Sequence, residues 1–270
     1  MAHARVATPG GGAIVAVWRP LRAVAPRLLF FAALVVAWEL CVRLTGVRSY
    51  LLPAPSGVWD ALVTAAPHLA QHTSLTVLEA LAGFALSAVF GILMAMVIVY
   101  SPYLRSVLMP SLVAFNATPK VALAPLLVIW LGLGIESKIA MAFLLSFFPI
   151  VVNTATGMAE VEPELINLFR LMRASELQTF IHVRLPNSLP ALFDGFKIAL
   201  PIALIGAVVG EFVGARQGLG YMILLAGGNL NTELLFAGVI VIAVLSVVLF
   251  EILVMVERLI LKWRPSARKF

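Results

Sequence analysis

Six apolar stretches, each close to the length of a membrane-spanning helix, follow one another along this chain of 270 residues. They occupy about 28–45, 76–99, 107–132, 138–158, 189–213 and 234–261. A helix needs roughly 20 apolar residues to cross a bilayer. Charged residues make up only 12% of the sequence, too few to cover a water-soluble domain of this length. The sequence therefore predicts an all-α, polytopic membrane protein with about six transmembrane helices.

The basic residues predict that both ends of the chain lie in the cytoplasm, because cytoplasmic segments carry an excess of Lys and Arg. With six spans, the cytoplasmic segments hold Arg5, Arg19, Arg22, Arg27, Arg105, Arg170, Arg173, Arg184, Arg258, Lys262, Arg264, Arg268 and Lys269. The external segments hold only Arg43, Arg48, Lys138 and Arg216. The predicted order is a cytoplasmic tail at 1–27, a transmembrane domain at 28–262 with a cytoplasmic loop at 160–186, and a tail at 263–270.

Several classes of function are disfavoured by composition. The net charge of +6 sits mostly at the two ends, where it suits anionic lipid head groups, and no basic surface with interleaved aromatic residues indicates a nucleic-acid partner. Cys41 is the single cysteine, and the four histidines are scattered, so the sequence predicts neither a disulfide nor a metal site. No catalytic constellation or cofactor motif is apparent.

Small residues recur every four positions on two of the predicted spans. One stripe consists of Gly83, Ser87, Gly91 and Ala95, and the other of Gly206, Gly210 and Gly214. Small side chains allow helix backbones to approach closely in lipid. The stripes predict a tight bundle and carry no information about a solute.

The stretch 160–186 is the one long polar segment with a helical pattern, and it lies between two predicted spans. Glu160, Glu162 and Glu164 surround Pro163, as is typical of a helix start. Leu165, Leu168, Phe169 and Met172 then share one face of a helix expected at 165–178, away from Arg170, Arg173 and Glu176. Two interpretations stay open, a helix that seats in a groove of a partner protein and a helix that rests on the lipid surface.

This segment resembles the cytoplasmic "EAA" loop of ATP-binding-cassette (ABC) importer permeases. Val183–Arg184–Leu185–Pro186 matches the end of the family motif, which places Arg173 at the family's Gly and Asn167–Leu168–Phe169 at its Glu-Ala-Ala. Arg170 and Ala174–Ser175 resemble the residues that flank the motif. The resemblance implies contact with an ATPase subunit for Asn167, Leu168, Phe169, Arg170, Met172, Arg173, Ala174, Ser175, Leu185 and Pro186.

Further stretches are similar to the nitrate/sulfonate/taurine/bicarbonate-type permeases of this family. They are Leu52–Ser56, Thr118–Gly132, Phe147–Asn153 and Ile205–Gly220, so that the resemblance covers roughly 28–262. It implies a type I ABC importer permease fold in a bacterial inner membrane. The implied partners are a second permease copy, two cytoplasmic ATPase subunits and an external solute-binding protein. Since the chain has no Walker A loop, ATP and Mg²⁺ are expected on the ATPase subunits.

Polar residues inside the spans are candidates for the translocation path. Lys120 lies mid-span beside Pro119, where a charge is costly unless it faces a cavity or a partner. The candidates are Asn116, Thr118, Pro119, Lys120, Asn153 and Glu211. Structural roles stay open for both charged members: Lys120 as an ion pair or an amine against carbonyls, and Glu211 as a packing carboxylate bonded to Ser or Thr.

The solute stays undetermined at this point. Lys120 favours an anion, whereas the Asn167–Leu168–Phe169 front of the loop is similar to pyrimidine and riboflavin carriers of the family. The alternative functions are a self-sufficient channel, an ion-coupled secondary transporter and a membrane-embedded enzyme. The lack of an internal repeat and of clustered acid and His residues disfavours them.

Overall fold

The chain forms a bundle of α-helices with no strand between residues 12 and 262, the range that this computed structural model describes. The helices are α1 (Gly12–Thr45), α2 (Pro55–Thr64), α3 (Ala66–Tyr100), α4 (Pro102–Ala117), α5 (Ala124–Leu131), α6 (Ile135–Ala159), α7 (Pro163–Leu171), α8 (Glu176–Thr179), α9 (Leu185–Gly214), α10 (Leu219–Gly228) and α11 (Thr232–Ile260). A 3₁₀ turn (Lys120–Leu123) precedes α5, and a π-helical turn (Phe180–Arg184) joins α8 to α9.

Five of the six predicted spans correspond to long apolar helices, one of them broken, in the part of the chain that the structure describes. α3, α6, α11 and the run Glu176–Gly214 are each long and apolar enough to cross a membrane. α4 and the segment Lys120–Leu131 form a fifth, broken span bent by 83°. The predicted span at 28–45 lies within α1. That helix already begins at Gly12, so residues 12–27 of the expected tail are helical. The rest of that tail and the tail at 263–270 lie outside the described residues.

The core is α6, which lies between α3 and α9 and approaches both of them closely at small residues. Larger side chains, among them Ile150 and Phe84, fill the rest of these interfaces. A Cβ added to Gly83 of α3 would lie 2.5 Å from Ala142 Cβ, and one added to Gly206 of α9 would lie 2.6 Å from Ala142 Cα. Ser87 Oγ lies 2.7 Å from Ser146 Oγ across the α3–α6 contact. The prediction that the two small-residue stripes bring helices together is confirmed.

Polar links also join several of the helices. Lys197 of α9 pairs with Asp194, three residues away, and with Glu257 of α11. Glu39 of α1 pairs with Arg43 and accepts hydrogen bonds from Ser56 of α2. The connection α7–α8 lies at one end of the bundle, which we call the α7 end. Helices α2 and α10 lie at the other, the α10 end.

Candidate functional site

The polar loop between α6 and α9 contains two short helices rather than the one helix expected at 165–178. Helix α7 ends in a Schellman motif, in which Ala174 N–H donates to Phe169 O and Arg173 N–H to Arg170 O, both at 3.0 Å. Helix α8 starts at once with a capping box between Ser175 and Gln178. These stop and start signals break the helix at 172–175 and override its continuous periodicity.

Arg173 occupies the position of the Schellman motif that requires a left-handed backbone. Its φ is +54°, a conformation that glycine adopts readily and that costs other L-residues roughly 1–2 kcal/mol. The alignment placed this residue at the family's Gly, and the conformation gives the physical reason for a glycine there. The turn forms in spite of the Arg side chain.

Exchanging Arg173 for Gly is expected to stabilise the end of α7 by about 1 kcal/mol, because glycine carries no penalty at positive φ. Slower hydrogen exchange at the amides of Arg173 and Ala174 would report the gain. Arg173→Asn is the intermediate control, since Asn tolerates this conformation, and Arg173→Val should accelerate exchange. Faster exchange in the Gly variant would contradict the proposed strain.

The apolar side chains of α7 divide into two groups. Leu168, Leu171 and Met172 are 50%, 83% and 70% exposed. Together with Arg170 and Arg173 they form a surface that we call the α7 tip. The other group faces the start of α9 across an open cleft of about 280 Å³, lined by Leu165, Phe169, His182, Val183, Pro186, Asn187 and Pro190. Among the predicted coupling residues, Phe169 and Pro186 therefore line the cleft between α7 and α9, and Met172 and Arg173 lie on the exposed tip.

The end of the loop is tied to the membrane helices by Arg184. Its Nη1 donates to Met158 O of α6 at 3.3 Å, and its guanidinium lies 5.2 Å from the ring centroid of Tyr100 of α3. Arg184 belongs to a π-helical turn, a local irregularity that is frequent at functional sites. Arg184 thereby links the start of α9 to α3 and α6. From the sequence, Arg184 is a cytoplasmic charge and part of the motif's end, and neither use indicates these contacts.

The second group of predicted residues lies at the break between α4 and α5. Lys120 is 8% exposed, and its ammonium donates to Asn116 Oδ1 at 2.6 Å. Thr118 caps Phe115 O at 2.6 Å, and Pro119 follows it in the turn. Four of the six predicted path residues are therefore together in one turn. Asn153 lies on α6, where its side chain donates to Pro149 O and its Cβ faces Gly195 of α9.

Glu211 lies apart from the Lys120 group, in a buried polar cluster at the α10 end. Its carboxylate accepts hydrogen bonds from Thr76 Oγ1 at 2.6 Å and from Gly220 N–H, and Leu219 N–H donates to Thr76 Oγ1 at 2.9 Å. These bonds hold the start of α10 on α3 and α9. That Glu211 also lines a path stays a prediction.

Lys138 belongs to the same cluster. The sequence counts it among the external charges, and the structure shows it 2% exposed near the start of α6. Its ammonium donates to Leu133 O, Gly134 O and Gly214 O at 2.6–2.9 Å. On α6, Lys138 is ten residues from Phe148, which contacts Lys120, so the two polar groups are about 15 Å apart along the helix.

Comparisons with known proteins agree with this architecture. Residues 87–262 match the family described as "Binding-protein-dependent transport system inner membrane component". A probable ABC transporter permease protein of Haemophilus influenzae is 37% identical over 83% of this chain and 91% of the relative. The formylaminopyrimidine transport permease protein ThiX of Halalkalibacterium halodurans is 36% identical, over 88% and 95%. The riboflavin transport system permease protein RibX of Chloroflexus aurantiacus is also 36% identical, over 86% and 88%.

Solved structures show the same fold. A chain of the MetNI methionine ABC transporter, in an inward-facing conformation, superposes with a TM-score of 0.64 over 71% of this chain and 95% of that one, at 18% identity. A chain of an amino acid ABC transporter gives 0.57, over 75% and 97%, at 17% identity. The chain thus has the type I ABC importer permease fold and belongs to the family of binding-protein-dependent transport system inner membrane components. It is an integral inner-membrane protein that serves as a permease subunit of an ABC importer.

Proposed function

We propose that this permease is driven by two cytoplasmic ATPase subunits that bind the α7 tip, pairs with a second copy of itself, and receives its solute from an external binding protein. Both chain ends then lie in the cytoplasm, as the basic residues predict. ATP and Mg²⁺ belong to the ATPase subunits in this arrangement. The protein itself catalyses no reaction.

The observation that carries the proposal is the exposure of the α7 tip. Leu168, Leu171 and Met172 are apolar and exposed at the end of a short polar helix, flanked by Arg170 and Arg173. Apolar side chains on the face of a helix that projects from the bundle suit a groove in a partner protein. The two arginines fit an ATPase surface with carboxylates beside the groove.

Movement of the docked helix has a direct route into the membrane. The cleft residues of α7 face the start of α9, and Arg184 links the same region to α3 and α6. We infer that closure of the ATPase dimer shifts α7 and thereby rearranges these spans, a rigid-body switch between two states.

The solute path runs along the break between α4 and α5 in this proposal, facing the second permease copy. No residue of α4 is buried within the described part of one chain, as expected for a helix covered by lipid or a partner copy. Asn116, Thr118, Pro119, Lys120 and Asn153 supply the polar groups, and Glu211 stands where the path would open at the α10 end. The solute is small, either an anion as carried by sulfonate permeases or a compound of the pyrimidine and riboflavin type.

Transport in proteoliposomes tests the proposal against a channel or an ion-coupled carrier. Vesicles that hold the permease, its ATPase and its binding protein should accumulate the solute only when ATP is present. Vesicles that hold the permease alone should show no flux, with or without an ion gradient. Flux through the permease alone would refute the proposal.

A further inference from the structure

Two lysines of this chain are buried among membrane helices, and their surroundings differ. Lys138 is 2% exposed and Lys120 is 8% exposed. A buried ammonium must satisfy three N–H donors and offset its charge, since either deficit is expensive inside a membrane. A buried lysine is complete when all three donors have partners and its charge is compensated, and the two lysines differ in this respect.

Lys138 is complete. Its ammonium donates one hydrogen bond to each of the carbonyls of Leu133, Gly134 and Gly214. These bonds join the start of α6 to the end of α9. The carboxyl groups of Glu79 and Glu211 lie near enough to interact with its charge. This lysine is a structural element of the bundle.

Lys120 is incomplete. Its ammonium makes one hydrogen bond within residues 12–262, to the neutral side chain of Asn116, and lies 5.8 Å from the ring centroid of Phe148. None of the ion pairs found in that range includes it. Within the described residues, two N–H donors thus have no hydrogen-bond partner, and the ammonium charge faces the Phe148 ring and no carboxylate. An anion is the ligand that would supply both.

The ammonium also lies where a ligand can reach it. Lys120 follows the turn at which the fifth span bends by 83°. Thr118, Pro119 and Val121 around it are exposed, so the ammonium lies just beneath a surface that the chain leaves open. The amide nitrogen of Asn116 can donate to an oxygen held by Lys120, because Asn116 presents its oxygen to the lysine. Phe148 supplies an apolar wall.

We infer that Lys120, Asn116 and Phe148 form a binding site within the permease for the oxyanion group, carboxylate or sulfonate, of the transported solute. The inference rests on the proposed function, which makes the ligand cargo. The permease would then select anionic solutes by itself, within the membrane, in addition to any selection by the binding protein. Among solutes of related permeases, it favours those that carry such a group.

The first test compares the two lysines in the absence of any solute. The permease–ATPase complex is placed in nanodiscs of phosphatidylcholine, and its thermal unfolding is measured. Lys120→Met should leave the unfolding temperature unchanged or raise it, because an uncompensated charge is removed. Lys138→Met should lower it by several degrees, because three carbonyls lose their donor. Equal destabilisation by both variants would overturn the inference.

The second test uses methanesulfonate and its neutral analogue dimethyl sulfone as probes. Methanesulfonate should raise the unfolding temperature of the wild-type complex, and dimethyl sulfone should not. Lys120→Met and Lys120→Gln should weaken methanesulfonate binding roughly tenfold or more, as loss of a charged hydrogen bond does, and Lys120→Arg should retain most of it. Unchanged binding to both neutral variants, or equal binding of the sulfone, would overturn the inference.

Lipid head groups are the other source of an oxyanion. If phosphatidylglycerol in the nanodisc reproduces the stabilisation and abolishes the effect of methanesulfonate, the site belongs to lipid and the assignment to cargo is refuted. Failure of this site is distinguishable from failure of the proposed function. ATP-driven uptake that ignores Lys120 would refute only the site, whereas flux through the permease alone would refute the transporter mechanism.

Discussion

Replacing Leu171 and Met172 together by Asp is expected to remove the ATPase from the purified complex. Both side chains are at least 70% exposed, so the exchange leaves the fold intact while placing two carboxylates where apolar anchors enter the partner. Loss of such anchors typically costs about 2 kcal/mol or more, a fall in affinity of roughly 30-fold or more. Affinity purification through a tag on the permease, followed by quantification of the ATPase, measures the effect.

Phe169 is left unchanged in this experiment, because it lines the cleft beneath α7 and its replacement would disturb the loop itself. Leu51→Asp is the matched control, since Leu51 is 65% exposed in the connection before α2, at the opposite end of the bundle. The control should retain the full amount of ATPase. Retention by the double variant as well would mean that the α7 tip is not the docking surface.

Adding a single methyl group at Gly206 is expected to destabilise the bundle by roughly 1–3 kcal/mol, in the range of overpacked cores. The new Cβ would lie 2.6 Å from Ala142 Cα and 2.9 Å from Met141 O, and both of these are backbone atoms that no rotamer change can move away. We expect Gly206→Ala to lower the yield of folded protein and the thermal stability measured in detergent or nanodiscs.

The matched control for this variant is Gly228→Ala near the end of α10. A Cβ there would have nothing within 4 Å, and the residue does not adopt a positive φ. The substitution should be neutral or slightly stabilising, because alanine loses less backbone entropy than glycine. Equal stability of the two variants would show that α6 and α9 can separate without loss, in conflict with the packing described here.

The spans could be predicted from the sequence because each apolar stretch is a local signal whose length a bilayer fixes. The small-residue stripes likewise predicted the close contacts of α3 and α9 with α6. The loop at 160–186 was predicted as helical but not as two helices. The apolar residues keep a helical spacing through this loop and so predict one helix. The left-handed backbone at Arg173 ends the first helix, and the cap formed by Ser175 starts the second.

The candidate sites were predictable to different degrees for a physical reason. Asn116 and Lys120 are four residues apart in one segment, so their contact follows from local spacing. Thr76 and Glu211 are 135 residues apart, and only the folded bundle brings them together. The burial of Lys138 was missed because a lysine at the start of an apolar run is normally a flanking charge. Its carbonyl partners come from the connection before α6 and from the end of α9.

The close approach of α3 and α9 to α6 at small residues has a mechanical consequence. Helices whose backbones interlock at Gly83, Ser87 and Gly206 cannot slide past one another without collisions between main-chain atoms. These three helices would then move as one rigid body when the loop moves Arg184. The segments that change conformation must then lie at the borders of this block. These are the bend before α5 and the surface that faces the second permease copy.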